Sequence, residues 1–163
     1  MKVVGPLHKS DVGGVVLNVK DEETVVREFN RLIKIKDTYA VEIYPMLFGT
    51  EIFIGASKEE NFGHQILFGL GGIFVEVLKD VKAALAPVNF EEAKTLIKQL
   101  KGYKIIQGVR GQEGVNEDMF AQTIVKVSAL VTAAPEIAEM DLNPLLGTAK
   151  QIIAVDARIR IEK

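Results

Sequence analysis

Lys2-Val-Val-Gly5-Pro-Leu-His8-Lys-Ser-Asp11-Val-Gly13-Gly14-Val-Val16 is the stretch on which the reading of this chain turns. An apolar strand carrying one lysine runs into a polar loop that holds a histidine and ends in paired glycines. A second β-branched run, Val15 to Val19, reads as the strand leading out. Strand, glycine-rich loop and strand together present backbone N–H groups to phosphates, because glycine lets the main chain approach closely. The histidine is the unusual addition: a loop that only grips phosphate has no need of an imidazole.

Working outward, Asp21 caps a helix from Glu22 to about Ile35, with Val25, Phe29, Leu32 and Ile33 on one face. Tyr39 to Met46 reads as a buried strand closed by Pro45. Thr50 to Ser57 and His64 to Phe68 form a hairpin across the turn-like Lys58 to Gly63, which makes His64 a turn or surface residue. Ile73 to Val81 is a further strand interrupted by Glu76 and Lys79. Asn89 caps a helix through Leu100, ended by Gly102, and Asn116 caps a longer one to about Ala133. Strands at Ile137 to Leu142 and Gln151 to Ala157 close the chain. Two α+β lobes meeting near Tyr44 to Gly49 fit this order better than a doubly wound sheet.

The 163 residues, 48% hydrophobic and 26% charged with a net charge of −2, describe a folded protein with interspersed charge. No basic block marks a nucleic-acid surface. The absence of cysteine excludes disulfides, thiolate metal sites and a cysteine nucleophile. The longest apolar run, Ile66 to Leu78, is broken by three glycines and Glu76 and is too short to span a bilayer. No signal peptide opens the chain, so the expected location is cytoplasmic, without membrane or nucleic-acid partners.

Four later segments carry chemistry. Gly49-Thr-Glu51 heads a strand, and Phe68-Gly-Leu-Gly71-Gly72-Ile-Phe-Val-Glu76 sets a carboxylate after a glycine-rich turn. Gln107-Gly-Val-Arg110-Gly111 places an arginine between glycines. Met140-Asp141-Leu-Asn143-Pro144 is followed by Ala154-Val-Asp156-Ala-Arg158. A hard cation such as Mg²⁺ takes a few protein oxygens and keeps its other positions for water and phosphate. An asparagine and an aspartate on adjacent strands supply such a half-shell. The alternatives are plain ones: Asp141 and Asn143 could shape a turn before Pro144, Gly69 to Gly72 a bulge, and Arg110 an ordinary surface position.

Taken in order, HKSDVGG, PM and GTE, FGLGGIFVEVLKDV, GVRG, PEIAEMDLNPL and AVDAR resemble the nucleotide-binding domain of the ADP-forming acyl-CoA synthetases. That is an ATP-grasp domain or subunit related to the succinyl-CoA synthetase β chain, and the resemblance runs from Lys2 to Arg158. It implies an α/β fold of α+β lobes in the ATP-grasp arrangement, lacking the N-terminal part of the small lobe. Residues 1–46 would be the remainder of that lobe and 47–163 the large lobe. The implied reaction converts acyl-CoA, ADP and phosphate into free acid, CoA and ATP, through a phosphohistidine on the CoA-binding partner.

By the same resemblance, His8 would relay phosphate, with Glu76 and Arg110 where phosphate or the partner's histidine loop docks. Lys2, Gly13 and Gly14 would hold nucleotide phosphates, and Ile43, Tyr44 and Met46 the adenine. Glu51, Gly71 and Gly72 complete the nucleotide set. Asn143 and Asp156 would hold Mg²⁺, with Asp141 beside them. The cofactors implied are ATP or ADP, Mg²⁺, and CoA through the partner. The partners are the CoA-binding α domain or subunit and the absent N-terminal small-lobe segment, in an oligomer. Where family members show an aromatic–arginine pair before Leu85-Ala-Pro, this chain has Ala83 and Ala84. A neutral imidazole must accept the phosphate, so activity is expected to fall below roughly pH 6.5. Rival readings are a non-catalytic ATP-binding module, an assembly fragment pairing through the Val3-Val4 edge, and a succinyl-CoA-type ligase subunit.

Overall fold

The computed structural model describes residues 1–6, 9–72, 75, 79–109, 111 and 113–162. Backbone contacts divide the chain into two compact units, Met1–Leu47 and Phe48–Lys163.

In the first unit, β1 (Lys2–Val4) and β2 (Ala40–Glu42) form an antiparallel pair in which Lys2 faces Glu42 and Val3 faces Val41. Between them lies α1 (Glu22–Leu32). Its start is set by Asp21, whose carboxylate accepts the Thr24 N–H at 2.7 Å, satisfying an amide that the first helical turn leaves without a partner. Val3 and Leu32 are fully buried. The strand expected over Val15 to Val19 does not form. Val15 makes one isolated bridge to Lys2, and Asn18 turns to a φ of 57°, which no extended strand accommodates. The strand expected over Tyr39 to Met46 shrinks to β2.

The second unit is a six-stranded antiparallel sheet covered on one face by helices. Along the sheet run β5 (Val81–Leu85), β4 (Gly63–Leu70), β3 (Thr50–Glu59) and β6 (Ile137–Gly147), with β7 (Ile152–Ala154) and β8 (Ala157–Ile161) both on the far side of β6. Ile52, Ile54 and Ala56 of β3 alternate onto the same buried face as Ile66, Phe68 and Leu70 of β4. Against them pack Ala93 and Ile97 of α2 (Phe90–Lys98), Ile106 of α3 (Tyr103–Gln107), and Phe120, Ile124 and Val131 of α4 (Glu117–Ala133). The rings of Phe68 and Phe120 meet edge to face at 6.2 Å. Asn89 and Asn116 cap α2 and α4 through the Glu92 and Met119 amides, as their positions in the sequence anticipate.

Three differences from the sequence reading bear on the site. Of the strand expected over Ile73 to Val81, residues 73, 74 and 76–78 lie outside the described residues; Val75 is helical, its N–H bonded to the Gly72 carbonyl, and the strand β5 starts only at Val81. Gly72 at φ 59° and Lys79 at φ 46° turn the chain on either side. Next, β6 does not stop at Leu142 but runs through Pro144 to Gly147. A register shift makes this possible, because Ile52 faces Leu145 while Ile54 faces Leu142. Asn143 and Pro144 therefore share one opposing residue, Phe53, and the bulge accepts a proline that has no N–H for the ladder. Finally, His64 is no surface residue. It is buried on β4, and its Nε2 donates to the Ile137 carbonyl at 2.6 Å.

Candidate functional site

The described candidate residues are divided between the two units. In Met1–Leu47, β1 carries Lys2 with its ammonium 5.1 Å from the centre of the Tyr44 ring and 3.7 Å from the Glu42 carboxylate. The strand register delivers this arrangement, since Lys2 lies directly opposite Glu42, two residues before Tyr44. Ile43, Tyr44 and Met46 are exposed apolar side chains just beyond β2. A lysine beside a carboxylate and an aromatic ring, followed by exposed apolar side chains, offers groups suited to a phosphate and a flat base.

The glycine turn departs from what its composition suggests. Gly13 adopts φ +64° and donates its N–H to the Ser10 carbonyl at 3.0 Å. Gly14 donates to the Lys9 carbonyl at 2.7 Å, and its own carbonyl accepts the Val3 N–H at 2.9 Å. A side chain at position 14 would press within 2.5 Å of Val3 Cγ2. Both glycines are needed, but both amides serve the turn itself.

In Phe48–Lys163 the candidates lie on the sheet face opposite the helices. Along β6, Met140, Leu142 and Leu145 enter the core, while Glu139, Asp141 and Asn143 are exposed on the other side. The pairs Leu145–Ala154 and Leu142–Ala157 put Asp156 opposite Asn143, and the Val155 N–H bonds to the Pro144 carbonyl at 3.0 Å between them. Asn143 is therefore in a strand and not in a turn before Pro144. Asp141 stands opposite Arg158. Partial burial pushes the pKa of the Asp141 carboxyl above its ordinary value; the Arg158 charge opposes that shift and the Asp156 charge adds to it. Two carboxylates that feel one another, with an amide oxygen beside them, form an all-oxygen donor set suited to a hard cation. Among the described residues no three His, Asp or Glu side chains gather closely enough to hold a metal by themselves. A half-shell completed by water and phosphate is what this donor set can offer.

Glu51 lies near the start of β3, and its side chain lies against Gly72, so closely that any side chain at position 72 would collide with the carboxylate. Gly71 donates its N–H to the Glu51 carbonyl at 2.7 Å. Glu51, Gly71 and Gly72 are thus one local assembly. His8, Glu76 and Arg110 lie outside the described residues.

The structure adds residues that the sequence reading missed. Glu42 neighbours Lys2, and Arg158 faces Asp141; only the Ala154–Arg158 string hinted at the latter. Asp80, buried, accepts the Lys101 and Gly102 N–H groups at 2.8 and 2.6 Å and ties the entry of β5 to the start of α3.

Comparison with known proteins identifies the family. Residues 1–161 match the model of the ATP-grasp domain family. The chain belongs to that family. Within it, the chain is 42% identical to the β subunit of acetate–CoA ligase (ADP-forming) I of Pyrococcus furiosus, over 98% of this chain and 73% of that subunit. It is also 42% identical to acetate–CoA ligase (ADP-forming) II of Archaeoglobus fulgidus, over 98% of this chain but only 24% of that longer, fused protein. Among solved structures, the dinucleotide-forming acetyl-coenzyme A synthetase 1 of Ca. Korarchaeum cryptofilum superposes with a TM-score of 0.84 at 38% identity, covering 99% of this chain and 75% of that one. That structure is a complex with coenzyme A and Mg-AMPPCP, its phosphohistidine segment pointing towards the nucleotide-binding site. The ATP-grasp domain described here is homologous to the nucleotide-binding domain of those ADP-forming ligases. Among its described residues no helix is long and apolar enough to cross a membrane.

Proposed function

We propose that this ATP-grasp domain is the nucleotide-handling part of an ADP-forming acyl-CoA synthetase, moving phosphate between a phosphohistidine and ADP or ATP. The overall reaction would convert acyl-CoA, ADP and phosphate into acid, CoA and ATP. The observation that carries this reading is the placement of Asn143 opposite Asp156, with Asp141 beside them on the open sheet face. Those residues would hold Mg²⁺, which when bound neutralises phosphate charge. The protein's own contribution would be positioning and charge. Lys2 meets the phosphates, Ile43, Tyr44 and Met46 receive the base, and Glu51 with Gly71 and Gly72 borders the reacting end.

His8, Glu76 and Arg110 take the transfer roles that the family resemblance implies. Met1–Leu47 would belong to the small lobe and Phe48–Lys163 would be the large one. The acyl group and CoA would be handled by a CoA-binding partner domain or subunit, in the cytoplasm.

Incubation with γ-labelled ATP and Mg²⁺, together with the CoA-binding partner, tests the reading. Acid-labile, base-stable phosphate is expected on this chain. His8→Ala should abolish that label and the overall turnover while ADP still binds. Label that persists in His8→Ala, or no label on the wild-type chain, would overturn the relay.

A further inference from the structure

We infer that Arg31 is a positioning residue for the glycine turn, and that this turn holds the phosphate-handling loop in place without lending the Gly13 and Gly14 amides to phosphate. The inference rests on the nucleotide-handling reading above and deepens it.

The turn is fastened at both of its glycines. Gly14 is tied to β1 through the Val3 N–H, so it is coupled to the strand that carries Lys2. Gly13 is tied to α1: Arg31 Nη1 donates to the Gly13 carbonyl at 3.2 Å. Arg31 is itself oriented by Glu28, which accepts its Nε at 2.8 Å while its second oxygen takes Arg27 Nε at 3.3 Å. Glu28 is more acidic than usual, chiefly because of the Arg31 hydrogen bond.

This geometry has a chemical consequence. A phosphate-gripping loop works by pointing unpaired N–H groups at the anion. Here the Gly13 and Gly14 N–H groups already end on the Ser10 and Lys9 carbonyls. The glycines supply shape: a positive φ at Gly13 and space against Val3 at Gly14. The turn then acts by its shape, and Arg31 fixes its backbone at the Gly13 carbonyl. The guanidinium is suited to this because its planar fork makes both bonds at once, to Glu28 and to Gly13, which an ammonium cannot reproduce.

Two measurements on the full chain, the second with its CoA-binding partner, test the inference. In the first, amide exchange at Gly13 and Gly14 should be slow without nucleotide and stay slow when Mg-ADP is added. Arg31→Gln should speed it by about tenfold, the scale of one charge-assisted bond at a half-exposed site. In the second, Arg31→Gln should lower kcat by about tenfold and leave KM for ADP essentially unchanged. Arg31→Lys should resemble Arg31→Gln, because the fork and not the charge is needed. Glu28→Gln should act in the same direction, and the double variant should be no worse than Arg31→Gln alone.

A raised KM with unchanged kcat, or full rescue by lysine, would make Arg31 a nucleotide-facing cation and overturn the inference. So would glycine amides that change their partners on ADP binding. If Arg31→Gln does not fold, Glu28→Gln carries both measurements. If the chain binds no nucleotide, the function reading fails, and the exchange comparison still decides whether Arg31 holds the turn.

Discussion

In Met1–Leu47, Val3 and Leu32 are the buried apolar side chains among the described residues, whereas Phe48–Lys163 buries a continuous cluster shared by four strands and three helices. Beside that small core, the first unit carries hydrogen bonds and an ion pair at its surface: Asp21 on Thr24, Glu28 on Arg31, Arg31 on Gly13. The second is held by packing. Small apolar burial with exposed hydrogen bonds marks a region of low local stability, and a dense core marks a high one. A domain of this family has to admit and release a nucleotide, and the less stable unit is the one carrying the glycine turn and Lys2. The difference is therefore read as a division between a deformable part and a fixed part, and it can be tested from either side.

The largest effect is expected at Phe68. Truncation to alanine removes a fully buried ring from its contact with Phe120 and should cost about 4 kcal/mol, seen as a lower denaturation midpoint for β3, β4 and β6. Leu32→Ala should cost about 3 kcal/mol by the same mechanism. Its loss should surface as faster amide exchange confined to Met1–Leu47, and equal acceleration in β3 and β4 would erase the contrast.

The smallest effect is one of pH, and its sign differs between the units. Asp21 is held below the ordinary carboxylate range by the Thr24 amide and hydroxyl, and Glu28 by the Arg31 side chain. Their stabilisation is present above the unfolded carboxylate range and is lost as pH falls through their lowered folded values. Asp141 is shifted upward by partial burial, so its ionisation opposes folding at neutral pH and acid relieves it. Acidification from about pH 6 to about pH 3 should loosen α1 before the sheet. Asp141→Asn should remove the sheet's partial relief in amide-exchange profiles across the same titration.

How much of this was legible in the sequence varies with the kind of signal. The helix starts were, because Asp21, Asn89 and Asn116 act on amides three residues away and need no tertiary partner. The Asn143–Asp156 neighbourhood was visible as two strings, but not its register, which depends on a bulge against Phe53. Val15 to Val19 looks like a strand by composition, yet Asn18 takes a positive φ and the run finds one bridge only. Burial of His64 depends on Ile137, seventy-three residues away, and no local pattern announces it. The engagement of the Gly13 and Gly14 amides was equally hidden, since glycine composition is the same whether its N–H groups face inward or outward.

The bulge at Asn143 and Pro144 has one more consequence, for how such a domain can change over time. Along the rest of β6 a substitution alters one side chain and leaves its neighbours facing as before. At the bulge, losing a single residue would give an unbroken ladder with β3 and keep Leu142 and Leu145 on the core face, but it would set Val155 and Asp156 against one residue of β6 and so disturb the pairing of Asn143 with Asp156. The position is open to replacement and closed to deletion. Chain length at that point should be held more strictly among relatives than the identity of any one residue there, the polar pair excepted.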